Sequence, residues 1–286
     1  MIQEELNKLP TKTGEYIALW KIHSNESDSQ KNVFLSHGTF SNRKVCMGIS
    51  TFLVEKGYTC WILEWRNHGD SSKTKQPFNF ESVALEDFLT AFEYLCNNLK
   101  IKSLHCITHS GGGICLTMFL IQNPSYISKI KNIAMFGCQA FGAAHNLRNY
   151  TKILFGKWVA YLSGGIPARK TGSPHDEDYF MMKQWFNWNL SKKFVGKNNI
   201  DYQVQMPKIA PPILSIAAKG DTFIAPKVGC EQFLDAFKNP KNRLLFCSKE
   251  NGFKENYNHS RILHSKNARA EIYPIVLEWM EAIEVE

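Results

Sequence analysis

The segment LHCITHSGGGICLTMFL, residues 104–120, sets a serine between an apolar run and three glycines. The run before Ser110 reads as a short strand, and the residues after it as a helix that stops before Pro124. A serine on so sharp a strand-to-helix turn presents its Oγ outward, and small neighbours let strand and helix approach closely. The N–H of Gly111, at the helix start, would aim a free donor and the positive helix end at a developing oxyanion. Gly112 stands at the second glycine of G-x-S-x-G, while Thr108 replaces the first. Taken alone, this pattern fits a glycine-rich turn without chemistry equally well.

Three further segments change that reading. NVFLSHGTF ends an early apolar run in His37-Gly38, and the following loop can supply a second oxyanion donor: the N–H of Thr39, with Phe40 as the alternative. PPILSIAAKGDTFIAP places Asp221 in the loop at the carboxyl end of a late strand, and ENYNHSRIL places His259 in a polar loop before the last helix. The chain order Ser110, Asp221, His259 suits a triad in which the carboxylate orients the imidazole and offsets the charge it takes on. His37 precedes the nucleophile and reads as a loop brace. His264 is the rival base, but it lies nearer the helical pattern. Arg66, His68 and Asp70 in RNHGDSS read as scaffold braces. Of the acidic trio Asp176, Glu177 and Asp178, one could act as a displaced acid, although capping or a solvated loop is the expectation.

These loops need a rigid frame. GEYIALWKIH, NVFLSHG, YTCWILEW, LHCITHS, NIAMFGCQA, PPILSIAAKGD and RLLFCSK read as strands. KVCMGISTFLVEKG, FNFESVALEDFLTAFEYLCNNL, GGGICLTMFLIQNP and NARAEIYPIVLEWMEAIE read as helices. The alternation predicts an α/β fold: a three-layer α/β/α sandwich on a mostly parallel, doubly wound sheet. Between the strand ending near Ala140 and the one starting near Pro212 lie roughly 70 residues, far more than a simple crossover needs. That insertion is rich in aromatics and leaves the carboxyl edge of the sheet, so residues 141–206 are expected to form a helical cap over an apolar substrate. Residues 1–140 and 207–286 would form the core, giving a single domain with a lid.

Composition narrows the function classes. The net charge is +8, but the lysines are spread along the chain, which reads as a solvated basic surface rather than a nucleic-acid site. No stretch approaches the length of a membrane span, so no integral membrane segment is expected. The start MIQEELNKLPTKTGEY lacks a basic and then apolar leader, so a soluble cytoplasmic protein is expected. The eight cysteines occur singly, without C-x-x-C or zinc-site spacing, as buried reduced thiols would. No phosphate-binding glycine motif is present, so no cofactor and no metal is expected.

Across Asn32 to Met280 the sequence resembles the α/β-hydrolase superfamily, and within it the acid-lipase-like branch typified by gastric lipases. HGTFSN is similar to their oxyanion segment, GYTCWILEWRNHGDS to the strand and loop that follow, and THSGGG to the nucleophile turn. IAPPILSIAAKGDTFIAP resembles the strand carrying the acid, and YNHSRILHSKNARAEIYPIVLEWM the segment carrying the histidine. The resemblance implies Ser110 as nucleophile, Asp221 as acid, His259 as base, and Thr39 with Gly111 as oxyanion donors. It implies a serine hydrolase of carboxylic esters, acting on a small molecule with an apolar portion. Thr108, the short insertion and the missing leader favour an esterase or thioesterase over a triglyceride lipase. An acyltransferase would use the same triad. A non-catalytic binder of a small apolar ligand is the rival from another class.

Overall fold

The apolar runs assemble into one eight-stranded sheet in the computed structural model, which describes residues 1–24 and 30–282. The strands are β1 (Ile2–Pro10), β2 (Tyr16–Ser24), β3 (Asn32–Ser36), β4 (Thr59–Glu64), β5 (Leu104–His109), β6 (Ile130–Phe136), β9 (Ile213–Ala218) and β10 (Arg243–Cys247). A separate two-stranded pair, β7 (Gly165–Ile166) and β8 (Glu177–Asp178), lies between β6 and β9 in the chain. The large sheet has the order β1-β2-β4-β3-β5-β6-β9-β10. All pairings from β4 to β10 are parallel, and β1 and β2 join antiparallel at one edge. Every residue of β4, β5 and β9 is buried, as central strands covered on both faces require.

Helices flank the sheet: α1 (Lys44–Val54), α2 (80–98) and α3 (Gly111–Gln122), and later α6 (Lys227–Asp235) and α7 (Lys266–Glu281), while α4 (Leu147–Ser163) and α5 (Tyr179–Ser191) pack on each other in the insertion between β6 and β9. The pleat sends Phe34 to one core with Phe88, Phe92 and Phe119, and its neighbours Val33 and Leu35 to the other with Ile49, Ile272 and Val276. Asn79 caps α2 with a reciprocal capping box to Ser82, and Ser265 caps α7 through the Ala268 N–H. The three-layer arrangement expected from the sequence is thus present.

β1, α6 and the short pair β7–β8 were not expected from the sequence. β1 is an edge strand whose residues are mostly exposed, so its mixed sequence IQEELNKLP carries no apolar alternation to betray it. Nine residue pairs with β2 hold it instead. α6 begins after Pro226 and contains Gly229, which weakens its helical pattern. That glycine lies against Gly142, where a β-carbon would come within 2.4 Å of the Gly229 Cα. A further difference concerns NIAMFGCQA. Its strand stops at Phe136 rather than near Ala140, because Gly137 turns the chain at φ 58°.

Candidate active site

Ser110 sits where β5 meets α3, at φ 53° and ψ −123°, a conformation costly for any residue with a side chain. Its surroundings enforce it: the Ser110 N–H donates to the Phe136 carbonyl of β6 at 2.9 Å, and the Gly113 N–H donates back to the Ser110 carbonyl. The glycines each meet a separate contact. A β-carbon on Gly112 would lie 2.6 Å from the His37 carbonyl oxygen, so only glycine lets α3 approach the β3 loop. A β-carbon on Gly113 would lie 2.6 Å from Cys138 Sγ and 3.1 Å from Thr108 Oγ1. The third glycine therefore makes room for the threonine that departs from the elbow consensus.

Asp221 and His259 come together at the carboxyl end of the sheet. Asp221 Oδ2 lies 2.5 Å from His259 Nδ1. The carboxylate also accepts the N–H groups of Ile224 at 3.0 Å and Ala225 at 3.1 Å, which fix its orientation. Burial would raise the Asp221 pKa, but the His259 hydrogen bond and charge with the two amides outweigh it and hold the carboxyl below its usual range. With Nδ1 directed at Asp221, Nε2 is the ring nitrogen left to exchange a proton. His259 has room because Gly137 lacks a side chain: a β-carbon there would lie 3.2 Å from the imidazole. His264 lies at the same cavity but makes no such pair with Asp221.

Ser110 and His259 share one cavity of about 790 Å³. Thr39, Phe40 and Gly111 line it beside the serine, and Ile114, Met182, Trp185, Phe186 and Phe223 supply apolar walls. The β3 loop is pressed against the serine turn: a β-carbon on Gly38 would lie 2.6 Å from Ser110 Cβ and 3.0 Å from the Gly111 nitrogen. The two expected oxyanion candidates of that loop differ. Phe40, held at φ 62°, donates its N–H to Glu177 Oε1 at 2.8 Å, so that donor is already engaged. Thr39 and Gly111 line the same cavity.

Glu177 is the residue that sequence reasoning undervalued. Its carboxylate, carried on β8, also lies 2.8 Å from His68 Nε2, while His68 Nδ1 faces the Arg66 carbonyl at 2.9 Å. Both ring nitrogens thus face acceptors, as a charged imidazolium requires. Burial would lower the His68 pKa, but the Glu177 charge and hydrogen bonds to Glu177 and the Arg66 carbonyl outweigh it, and the net shift is upward. His175, its ring tilted against that of His68 with centroids 4.9 Å apart, is driven down to about 4 by burial and by the His68 charge. Neighbouring Asp176 pairs with Arg169, and Asp178 caps α5 through the Met181 N–H, so neither reaches Asp221 or His259. The signal for Glu177 was only its place in an acidic trio.

The other histidines brace. His37 directs Nδ1 to the Gly38 carbonyl at 2.7 Å and accepts the Trp65 N–H at 3.2 Å, fixing the loop as expected. His109 binds the His259 carbonyl through Nε2 at 2.9 Å, and burial, then the nearby His259, lowers it to about 3. Arg66 clamps Asp87 with its backbone N–H, Nε and Nη2, and exposed Asp70 donates only its backbone N–H, to Glu64.

Residues 31–135 match the sequence model of a family described as alpha/beta hydrolase fold. Solved structures agree over nearly the whole chain. An esterase from Pyrococcus furiosus is 19% identical, with 98% of this chain and 91% of that one covered at a TM-score of 0.66. An esterase from Exiguobacterium antarcticum is 14% identical, covering 96% and 99% at a TM-score of 0.65. A monoacylglycerol lipase from Paleococcus ferrophilus is 14% identical, covering 93% and 99% at 0.66. No curated protein matches. The chain has the α/β-hydrolase fold.

Proposed function

We propose that the protein is a serine hydrolase that cleaves carboxylic esters with an apolar portion. The observation that carries this reading is the Asp221–His259 hydrogen bond, made by a histidine that lines the same cavity as strained Ser110. In the proposed reaction Ser110 Oγ attacks the ester carbonyl while its proton passes to His259 Nε2. The oxyanion is held by the N–H groups of Thr39 and Gly111. His259 then protonates the departing alcohol, and a water, deprotonated by the same imidazole, releases the acid and restores Ser110. Residues 141–206 act as a cap whose Trp185 and Phe186 wall the acyl side of the cavity.

Similarity to esterases and a monoacylglycerol lipase supports the reaction class, and the acid-lipase-like segments around Thr39, Ser110, Asp221 and His259 support the role of each residue. Eight unpaired, buried cysteines favour a reducing compartment such as the cytoplasm. Hydrolysis of p-nitrophenyl esters from acetate to palmitate, with Ser110→Ala alongside, tests the reading. Activity that peaks at one chain length and vanishes in the variant supports it. Activity unchanged in the variant sinks it.

A further inference from the structure

Helix α4 turns only a narrow stripe inward, on which Asn149, Ile153 and Ala160 are buried. Its outer face carries Leu147, Leu154, Phe155, Trp158, Tyr161 and Leu162, with Phe155 65% and Trp158 58% exposed. An amphipathic surface helix would place polar residues there. A contiguous apolar face of this kind on a folded protein marks a surface for something else. The same helix carries Arg148, Lys152 and Lys157, and no acidic residue occurs between Glu93 and Asp176. Aromatic and leucine side chains interleaved with lysine and arginine suit the boundary between lipid headgroups and acyl chains. A second copy of the chain would set like charges against one another across the contact, whereas an anionic lipid surface complements them.

The face is also next to the site. Lys152 and Gly156, on the flank of α4, line the cavity that holds Ser110 and His259. We propose that the outer face of α4 docks on an anionic lipid surface and that the ester cleaved at Ser110 belongs to an acyl lipid drawn from it. The substrate half of this statement rests on the hydrolase reading; the docking half does not. No helix among the described residues is long and apolar enough to cross a membrane, so association would be peripheral and reversible.

The test is co-sedimentation of the full chain with phosphatidylcholine vesicles, with and without phosphatidylserine, at low and high salt. Wild type is expected on the phosphatidylserine vesicles, less on phosphatidylcholine alone, and less as salt rises. The triple variant Leu154→Ser, Phe155→Ser, Trp158→Ser removes side chains that do not line the cavity. Its partitioning is expected to fall by roughly a hundredfold or more. Arg148→Glu, which leaves the apolar face intact, is expected to lose roughly tenfold on the anionic vesicles. Both variants should keep the hydrolysis of soluble p-nitrophenyl butyrate. Docking is overturned if wild type stays in the supernatant, if it binds both vesicle types equally, or if the triple variant binds as well as wild type. It is also overturned by a dimer in light scattering that the triple variant dissolves, which would make a second copy the occupant. Vesicle binding without cleavage of any ester would leave docking standing and sink the hydrolase reading. Ester cleavage without vesicle binding would do the reverse.

Discussion

Replacing Glu177 by glutamine should expose a pH-dependent prop beneath the proposed oxyanion loop. Oε1 of Glu177 accepts from His68 Nε2 and from the Phe40 N–H, both at 2.8 Å, and the His68 and Glu177 side chains are 1% and 2% exposed. Glutamine keeps an acceptor but removes the charge opposite a buried imidazolium. Breaking such a pair with the other charge left in place costs about 3–5 kcal/mol. His68 can escape part of this by shedding its proton, which leaves one of its two hydrogen bonds unmade, so about 2–4 kcal/mol is the expected loss at mildly acidic pH. For a chain of this size that is a fall in Tm of roughly 5–15 °C. The sign of the pH dependence follows from the raised His68 pKa in the folded protein. The pair stabilises fully below the ordinary histidine value of about 6.5, and its contribution fades as pH climbs through the raised folded value. Glu177→Gln must instead expel or strand that proton in acid. The Tm gap between wild type and variant should therefore be widest near pH 5–6 and narrow toward pH 9, as read by circular dichroism melts. A gap that is constant, or that widens with pH, would refute the ion pair. On a soluble ester, kcat should drop roughly ten- to hundredfold, because a neutral amide oxygen holds the Phe40 N–H, and with it the Thr39–Phe40 loop, less firmly than the carboxylate does.

Other substitutions probe separate parts of the account. Asp221→Asn should leave the melting curve of the fold recognisable while cutting kcat about 10⁴-fold, since the tautomer of His259 is no longer imposed; steady-state kinetics decide it. Gly113→Ala should lower stability by about 1–3 kcal/mol, because its methyl meets Cys138 Sγ at 2.6 Å, and Thr108→Gly in the same chain should recover part of that loss. Trp185→Ala should shift the preferred p-nitrophenyl ester toward longer acyl chains, as it opens the apolar wall of the cavity.

Much of the frame was legible because the central strands are continuous apolar runs closed by glycine or proline; Ser110 and Asp221 stand at or just past the ends of such runs, while His259 lies in the polar loop after the last strand. What the sequence hid has physical causes. β1 is held by backbone pairing to β2 and buries little, so no pattern marks it. The aromatics of the insertion look alike in sequence but divide in space. Trp185, Phe186, Trp188, Phe194 and Tyr202 are buried against the core, while Phe155, Trp158 and Tyr161 face outward. Only tertiary context separates the two sets. The contact of Glu177 with His68 spans 109 positions, and nothing local distinguishes a buried carboxylate from its exposed neighbour Asp178. Glu81 is a similar case: it anchors the insertion from the other side by accepting from Tyr202 Oη, Gln184 Nε2 and the Lys197 N–H. The two buried carboxylates, one from each partner, hold the insertion against the sheet.

The most direct test of the central claim is to treat the folded chain with a fluorophosphonate and map the adduct by peptide mass spectrometry. A single adduct on Ser110, lost in Ser110→Ala and slowed sharply in His259→Ala, is the result the account predicts. An unlabelled Ser110 in a protein that remains folded would contradict it, and would return the cavity to a ligand-binding role without acyl chemistry.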